Sequence, residues 1–248
     1  VIGIVNGAIK KEYDTACDHI KKSLPYLEKD DKKTYASALF FLGTYQTKMK
    51  KYGQALETIQ KCVEITKEQY GENHLETAWA LTAFGALHRM EESFQLAVEQ
   101  YVQVELIFRS VFENMKEEDI IATIKKSKAE EDIEDPKLSV LDIVINRFKN
   151  NLQLNIIQIC AIIGELSLKT NNPYRAYDIF EKQIYYLRKA FGNEKGYKLL
   201  LKTIVTRMRT VFQENKKIME HNGEYYEHKE GMDKLDKQLL VWEKMACE

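Results

Sequence analysis

Shifted by 42 positions, the middle of this chain falls on itself. Ala36 meets Ala78, Ala38 meets Ala80, Leu39 meets Leu81, Leu42 meets Phe84 and Gly43 meets Gly85. Further along, Tyr52 meets Phe94, Ala55 meets Ala97, Leu56 meets Val98, Ile65 meets Ile107 and Tyr70 meets Phe112. Each match keeps a small residue small or an apolar residue apolar. A period of this length is the mark of one supersecondary unit stacked on the next. The pattern places a helix A over 34–50 and a helix B over 53–70. Small residues at Gly43 and Ala55 let the two backbones approach, since side-chain bulk limits a helix crossing. Leu39, Leu42 and Tyr52 then fill the flanks. One such pair cannot bury its apolar face alone, whereas stacked pairs can, and this predicts an α-solenoid.

Composition agrees with that reading. Only 3 prolines and 11 glycines occur in 248 residues, too few turn formers for a β-sandwich or barrel. With 44% hydrophobic and 30% charged residues, the chain is neither disordered nor membrane-embedded in character. The 37 basic and 38 acidic residues leave a net charge of −1, which argues against a nucleic-acid partner. The most apolar stretch, 152–168, is interrupted by Asn155, Gln158, Gly164 and Glu165. It falls short of the ~20 apolar residues a bilayer needs. Its Ile156, Ile157, Ile159, Cys160, Ile162 and Ile163 point all round a helix, so burial in protein is expected and no membrane partner. Cys17, Cys62, Cys160 and Cys247 lie far apart and read as reduced, mostly buried thiols of a cytoplasmic protein. The chain starts at Val1 without a basic and then apolar leader, so a piece of a longer chain without a signal peptide is expected.

The repeated residues form three sets. The first is Leu39, Leu42-Gly43, Tyr52, Ala55 and Ile59. The second is Leu81, Phe84-Gly85, Phe94, Ala97 and Tyr101, and the third is Cys160, Ile163-Gly164, Pro173, Ala176 and Phe180. These resemble the tetratricopeptide repeat, in a form longer than the usual ~34 residues. The connection from Tyr70-Gly71 through His74-Leu75 to Ala78 resembles the inter-repeat turn of kinesin light chains, with Leu75 where that family has proline. The resemblance implies an all-α fold, a right-handed superhelical α-solenoid of antiparallel helix pairs. The expected organisation is a partial N-terminal repeat at 1–33, repeats at 34–75 and 76–113, a degenerate repeat with an acidic loop at 114–149, a repeat at 150–195, and C-terminal helices at 196–248. In the first segment Tyr13, Ala16 and Ile20 match the helix-B positions Tyr52, Ala55 and Ile59. Gly223 and Gly231 are expected to bracket a polar turn region.

Catalytic chemistry finds little support. His74 reads as a turn residue that caps or packs against the next helix, and His88 lacks the partners of a nucleophilic triad. His221 and His228, seven apart among glutamates, suit a solvated connector better than zinc. Phosphate-loop, dinucleotide and zinc-protease motifs are missing. No cofactor, metal or enzymatic activity is expected. The expected function is a protein-interaction scaffold that docks a partner peptide or helix in the groove lined by the A helices. The groove positions are Phe40, Thr44, Thr47 and Lys48, then Trp79, Thr82, Ala86 and Arg89, then Gln158, Ala161, Glu165 and Lys169. An aromatic beside cations is a common hot-spot combination. A second stripe, Met232, Leu235, Leu239, Trp242 and Ala246, either caps the solenoid or starts a coiled coil that contacts a partner. Membership of a larger cytoskeletal or ciliary assembly is the expected setting. The alternative is a regulatory module of a longer chain whose activity lies elsewhere.

Overall fold

A computed structural model describes residues 12–114, 116, 138–192 and 195–247, with backbone alone at 138–148 and 195–196. The expected acidic loop and Pro136 lie outside the described residues. Every described element is an α-helix: α1 (Tyr13–Asp30), α2 (Lys32–Lys48), α3 (Tyr52–Tyr70), α4 (Leu75–Met90), α5 (Phe94–Asn114), α6 (Leu138–Lys169), α7 (Pro173–Phe191), α8 (Lys195–Asn222) and α9 (Tyr225–Cys247). The fold is all-α and consecutive helices pack in pairs, as the repeat predicts. The chain groups into two compact units, Val1–Ile107 and Phe108–Glu248.

In unit 1, α2 pairs with α3 and α4 with α5. The crossing glycines behave as their spacing demands. A Cβ built on Gly43 would lie 2.4 Å from Cγ1 of Ile59, and one on Gly85 would lie 3.0 Å from the Tyr101 ring. In unit 2, a Cβ on Gly164 would lie 2.1 Å from the Phe180 ring. Each glycine therefore faces the residue 16 positions ahead on the paired helix. Leu39, Leu42, Ala55 and Ile59 are all buried, as are Leu81, Ala97, Tyr101, Ile163, Ala176 and Phe180. The half-repeat at the start of unit 1 is present as α1, whose Ala16, Cys17 and Ile20 pack with Ala38, Leu42 and Tyr45 of α2.

The turns from helix A to helix B are built alike in all three pairs. Lys50, Glu92 and Asn171, each seven residues past the crossing glycine, adopt left-handed backbone with φ of 59°, 62° and 54°. The next N–H reaches back five residues in each case: Lys51 to Gln46, Ser93 to His88 and Asn172 to Ser167, at 2.8–2.9 Å. Such a turn satisfies carbonyls that the helix end leaves open.

The expected boundaries need two corrections. A break near 150 does not exist, because α6 runs unbroken for 32 residues from Leu138. Gly231 belongs to no turn; it lies inside α9, where a Cβ would meet Cγ of Pro173 at 2.8 Å. The α8–α9 turn is made at Gly223 alone, with φ 76°. In α6 the segment Lys149–Lys169 is long and apolar enough to cross a membrane, with mean hydropathy 1.3. Its Leu152, Ile156, Ile157, Ile159, Cys160, Ile163, Leu166 and Leu168 are buried instead within the protein core.

Candidate partner-binding face

Helices α2, α3 and α4 of unit 1 build an apolar hollow. It encloses about 270 Å³ and is lined by Ala36, Ser37, Phe40 and Phe41 of α2, Cys62, Thr66 and Tyr70 of α3, and Glu76, Trp79 and Ala80 of α4, with Lys33 at its edge. Local chemistry fixes the walls. Asp31 starts α2 by accepting from the backbone N–H groups of Lys33 and Thr34 at 3.0 and 3.1 Å. His74 starts α4: its Nδ1 accepts from the Glu76 N–H at 3.2 Å, and its ring stacks on Tyr70 with centroids 4.8 Å apart. The Lys33 ammonium lies 5.3 Å from the same Tyr70 ring. Tyr70 thus contacts both a cation and an imidazole, which fixes one wall. Burial pushes the Cys62 thiol up to about 12, and its Sγ donates to the Ala36 carbonyl at 3.3 Å. A thiol so placed stays protonated and acts as apolar lining.

The structure brings Phe40 and Trp79 together in this hollow. Phe40 is half-buried, and Trp79 keeps 38% of its surface exposed. Thr44 and Thr82 turn their hydroxyls to Phe40 and Ala78 carbonyls on their own helices, at 2.8 and 2.9 Å. Lys48 is exposed and lies 5.3 Å from the Tyr13 ring of α1, while Arg89 is exposed at the end of α4. Thr47 is not a groove residue: it is buried, with its hydroxyl on the Gly43 carbonyl at 2.9 Å.

The sites predicted in unit 2 behave differently. Gln158 and Lys169 are exposed on α6. Glu165 is engaged by Arg207 of α8, with Nη2 to Oε2 at 3.1 Å. Met232, Leu235, Leu239 and Trp242 are buried inside the chain, so they offer no surface stripe to a partner. α9 packs them against its neighbours α7 and α8. Arg209 ties the same helices: it donates through Nε to Glu243 at 2.8 Å and also binds Asp236. Those carboxylates, Glu243 foremost, raise its already high pKa. His221 and His228 fall on different helices, α8 and α9. His88 is buried beside Phe84, with Nδ1 3.4 Å from a Glu91 oxygen.

Sequence reasoning missed a wide groove of about 880 Å³ in unit 2. Arg109 and Glu113 of α5, Lys182, Tyr185 and Arg188 of α7, and Trp242 of α9 are among its lining residues. The sequence signal for it is the run Ile184-Tyr185-Tyr186-Leu187, of which Tyr185 alone is exposed.

Residues 34–110 match the family model for the tetratricopeptide repeat. That region carries tetratricopeptide repeats. The match covers both unit 1 crossings, Gly43 with Ile59 and Gly85 with Tyr101, and the hollow that Phe40 and Trp79 share. No curated protein matches the chain. Tetratricopeptide repeats support an interaction scaffold, and an all-α repeat fold of this kind is typically a non-catalytic interaction module.

Proposed function

We propose that the chain is a scaffold that docks a partner peptide or helix along the A-helix face of its tetratricopeptide repeats. The observation that carries this reading is the shared hollow: Phe40 and Trp79, on the A helices of successive repeats, line one apolar space at the surface. Its size suits one large apolar side chain of a partner, and its walls are held by contacts within the fold. Removing both rings tests the reading. In crosslinking with the natural partners, Phe40→Ala with Trp79→Ala is expected to lose most of the captured protein, while helix content stays unchanged. Unchanged capture sinks the groove reading.

The setting we favour is a multi-protein cytoskeletal or ciliary assembly in the cytoplasm. The long repeat and its turn at His74, which resemble those of kinesin light chains, support it. Cosedimentation with microtubules or axonemal extract is the direct check, and a protein left wholly in the supernatant argues against it. The alternative, a regulatory module of a longer chain with activity elsewhere, would show as an activity of that longer chain that changes when this region is removed.

A further inference from the structure

The hollow of unit 1 has a lining that selects among side chains of similar size. Phe40 and Phe41 of α2, Tyr70 of α3 and Trp79 of α4 give it four aromatic rings, and Glu76 of α4 gives it one carboxylate. Its aliphatic hydroxyls and its thiol have spent their donors on the backbone. Ser37 donates to the Lys33 carbonyl at 3.2 Å, Thr66 to the Val63 carbonyl at 3.0 Å and Cys62 to the Ala36 carbonyl at 3.3 Å. Among the described residues the Glu76 carboxylate has no ion-pair or hydrogen-bond partner. Its charge is felt inside the hollow: after burial, it is the next cause that pushes up the Cys62 thiol and the Tyr70 hydroxyl. The same wall already draws a cation from the chain itself. The exposed Lys33 holds its ammonium 5.3 Å from the centre of the Tyr70 ring, a distance at which a ring face attracts positive charge.

These features decide between occupants. A neutral side chain would take water from the Glu76 carboxylate and give it no partner, which costs free energy. An arginine brings five N–H donors, and the hollow meets them with one carboxylate and two hydroxyl oxygens that are already donors elsewhere. A lysine ammonium brings three N–H donors and holds its own water strongly. Methyl groups on that nitrogen remove the donors and keep the charge. The rings then supply the contact surface and the carboxylate the counter-charge.

We propose that the hollow holds a methylated lysine of the partner polypeptide, its quaternary ammonium among the rings of Phe40, Tyr70 and Trp79 and close to the Glu76 carboxylate. The proposal rests on the scaffold reading for the place of docking and for a polypeptide as partner. Trimethyllysine has the bulk of a large apolar side chain, so it fills the space that reading assigns. A choline lipid carries the same ammonium, but a bilayer surface also wants a broad apolar face. The rim here is polar, with Lys33, Ser37 and Glu76 exposed.

The test titrates the whole chain with Nα-acetyl-Nε-trimethyllysine amide and follows the indole N–H signals by heteronuclear NMR. The sequence has two tryptophans, and Trp79→Phe assigns the signal of Trp79. That signal is expected to shift to saturation, while the signal of the buried Trp242 stays in place. Acetyl-lysine amide and a neutral analogue with tert-butyl in place of trimethylammonium should each bind about tenfold less tightly. Choline lacks the apolar stem and should also bind less tightly. Glu76→Gln should weaken binding about threefold, and Phe40→Ala about tenfold. Lys33→Ala should tighten it about twofold, because a like charge leaves the edge. Glu76 and Lys33 are exposed, so thermal melts of these two variants should match the parent. No saturable shift at Trp79, equal binding of the neutral analogue, equal binding by Glu76→Gln, or tighter binding of choline or phosphatidylcholine vesicles overturns the proposal. The scaffold reading stands or falls separately, on capture of the natural partners by the Phe40→Ala, Trp79→Ala variant.

Discussion

Units 1 and 2 use the same helix crossing on helices of different length. The pairs of unit 1 are built from α2, α3 and α4 of 17, 19 and 16 residues. In unit 2, α6 and α8 have 32 and 28. Gly43 and Gly164 nevertheless meet Ile59 and Phe180 at the same sixteen-residue offset. The crossing is thus set by a small residue facing a large one, and helix length is a separate variable. In unit 1 the N-terminal halves of α2 and α4 and the C-terminal half of α3 enclose the hollow. In unit 2 the Arg207–Glu165 and Arg209–Glu243 links tie the long α8 to α6 and α9.

The largest expected effect tests whether α9 closes unit 2. Trp242 is buried, so Trp242→Ala should cost about 3–5 kcal/mol in urea unfolding followed by circular dichroism. If α9 were a free coiled-coil strand, the loss would be near zero and would depend on protein concentration.

The crossings should rank by how close the facing ring lies. Gly164→Ala places a methyl against a ring that cannot yield, and a loss of about 2 kcal/mol is expected despite the better helix propensity of alanine. Gly85→Ala, with 3.0 Å to the Tyr101 ring, should stay within about 1 kcal/mol of the parent. The reverse order would show that the two crossings are not equivalent.

The left-handed turn positions give a smaller effect of opposite sign. Lys50→Gly and Glu92→Gly should each stabilise by up to about 1 kcal/mol, because only glycine takes that conformation without strain. Asn171→Gly should gain less, since asparagine already tolerates it. Equal gains at all three sites would remove the side chain from the explanation.

The helix starts differ in what acid does to them. Hydrogen bonds, the Thr34 hydroxyl first, hold the Asp31 carboxyl below its usual range. Its contribution is present above the unfolded carboxylate value and is lost as pH falls through the lower folded value. At the start of α7, Asn172 accepts the Arg175 N–H at 3.0 Å through an amide that does not titrate. Asp31→Asn should therefore flatten the acid limb of the melting temperature slightly, whereas Asn172→Asp should steepen it. An acid limb that ignores both changes would exclude these caps as its source.

The crossings were legible in the sequence because they write both size and position: a glycine, then alanine at +12 and a bulky residue at +16. The repeat frame put Phe40 and Trp79 on the A helices, where both line one hollow, whereas Thr47, read onto the same face, is buried. The start of α6 was hidden, since the segment from Leu138 directly follows an acidic stretch and carries none of the small-residue markers of the repeat. Gly231 read as a turn because a glycine in a polar run does so by default, and the Pro173 ring that needs its space is 58 residues away. The burial of Trp242 and its neighbours was legible as an apolar stripe, but its target was not.

The sixteen-residue offset also bears on how the chain acquires its structure. Each pair is closed by residues close in sequence, so little of the chain must be held still before the first contact forms. During synthesis, the α2–α3 crossing can close as soon as Ile59 and the turns that follow it have left the ribosome, long before α8 exists. Assembly can then proceed from the amino end pair by pair, each finished pair offering the next a surface to form against.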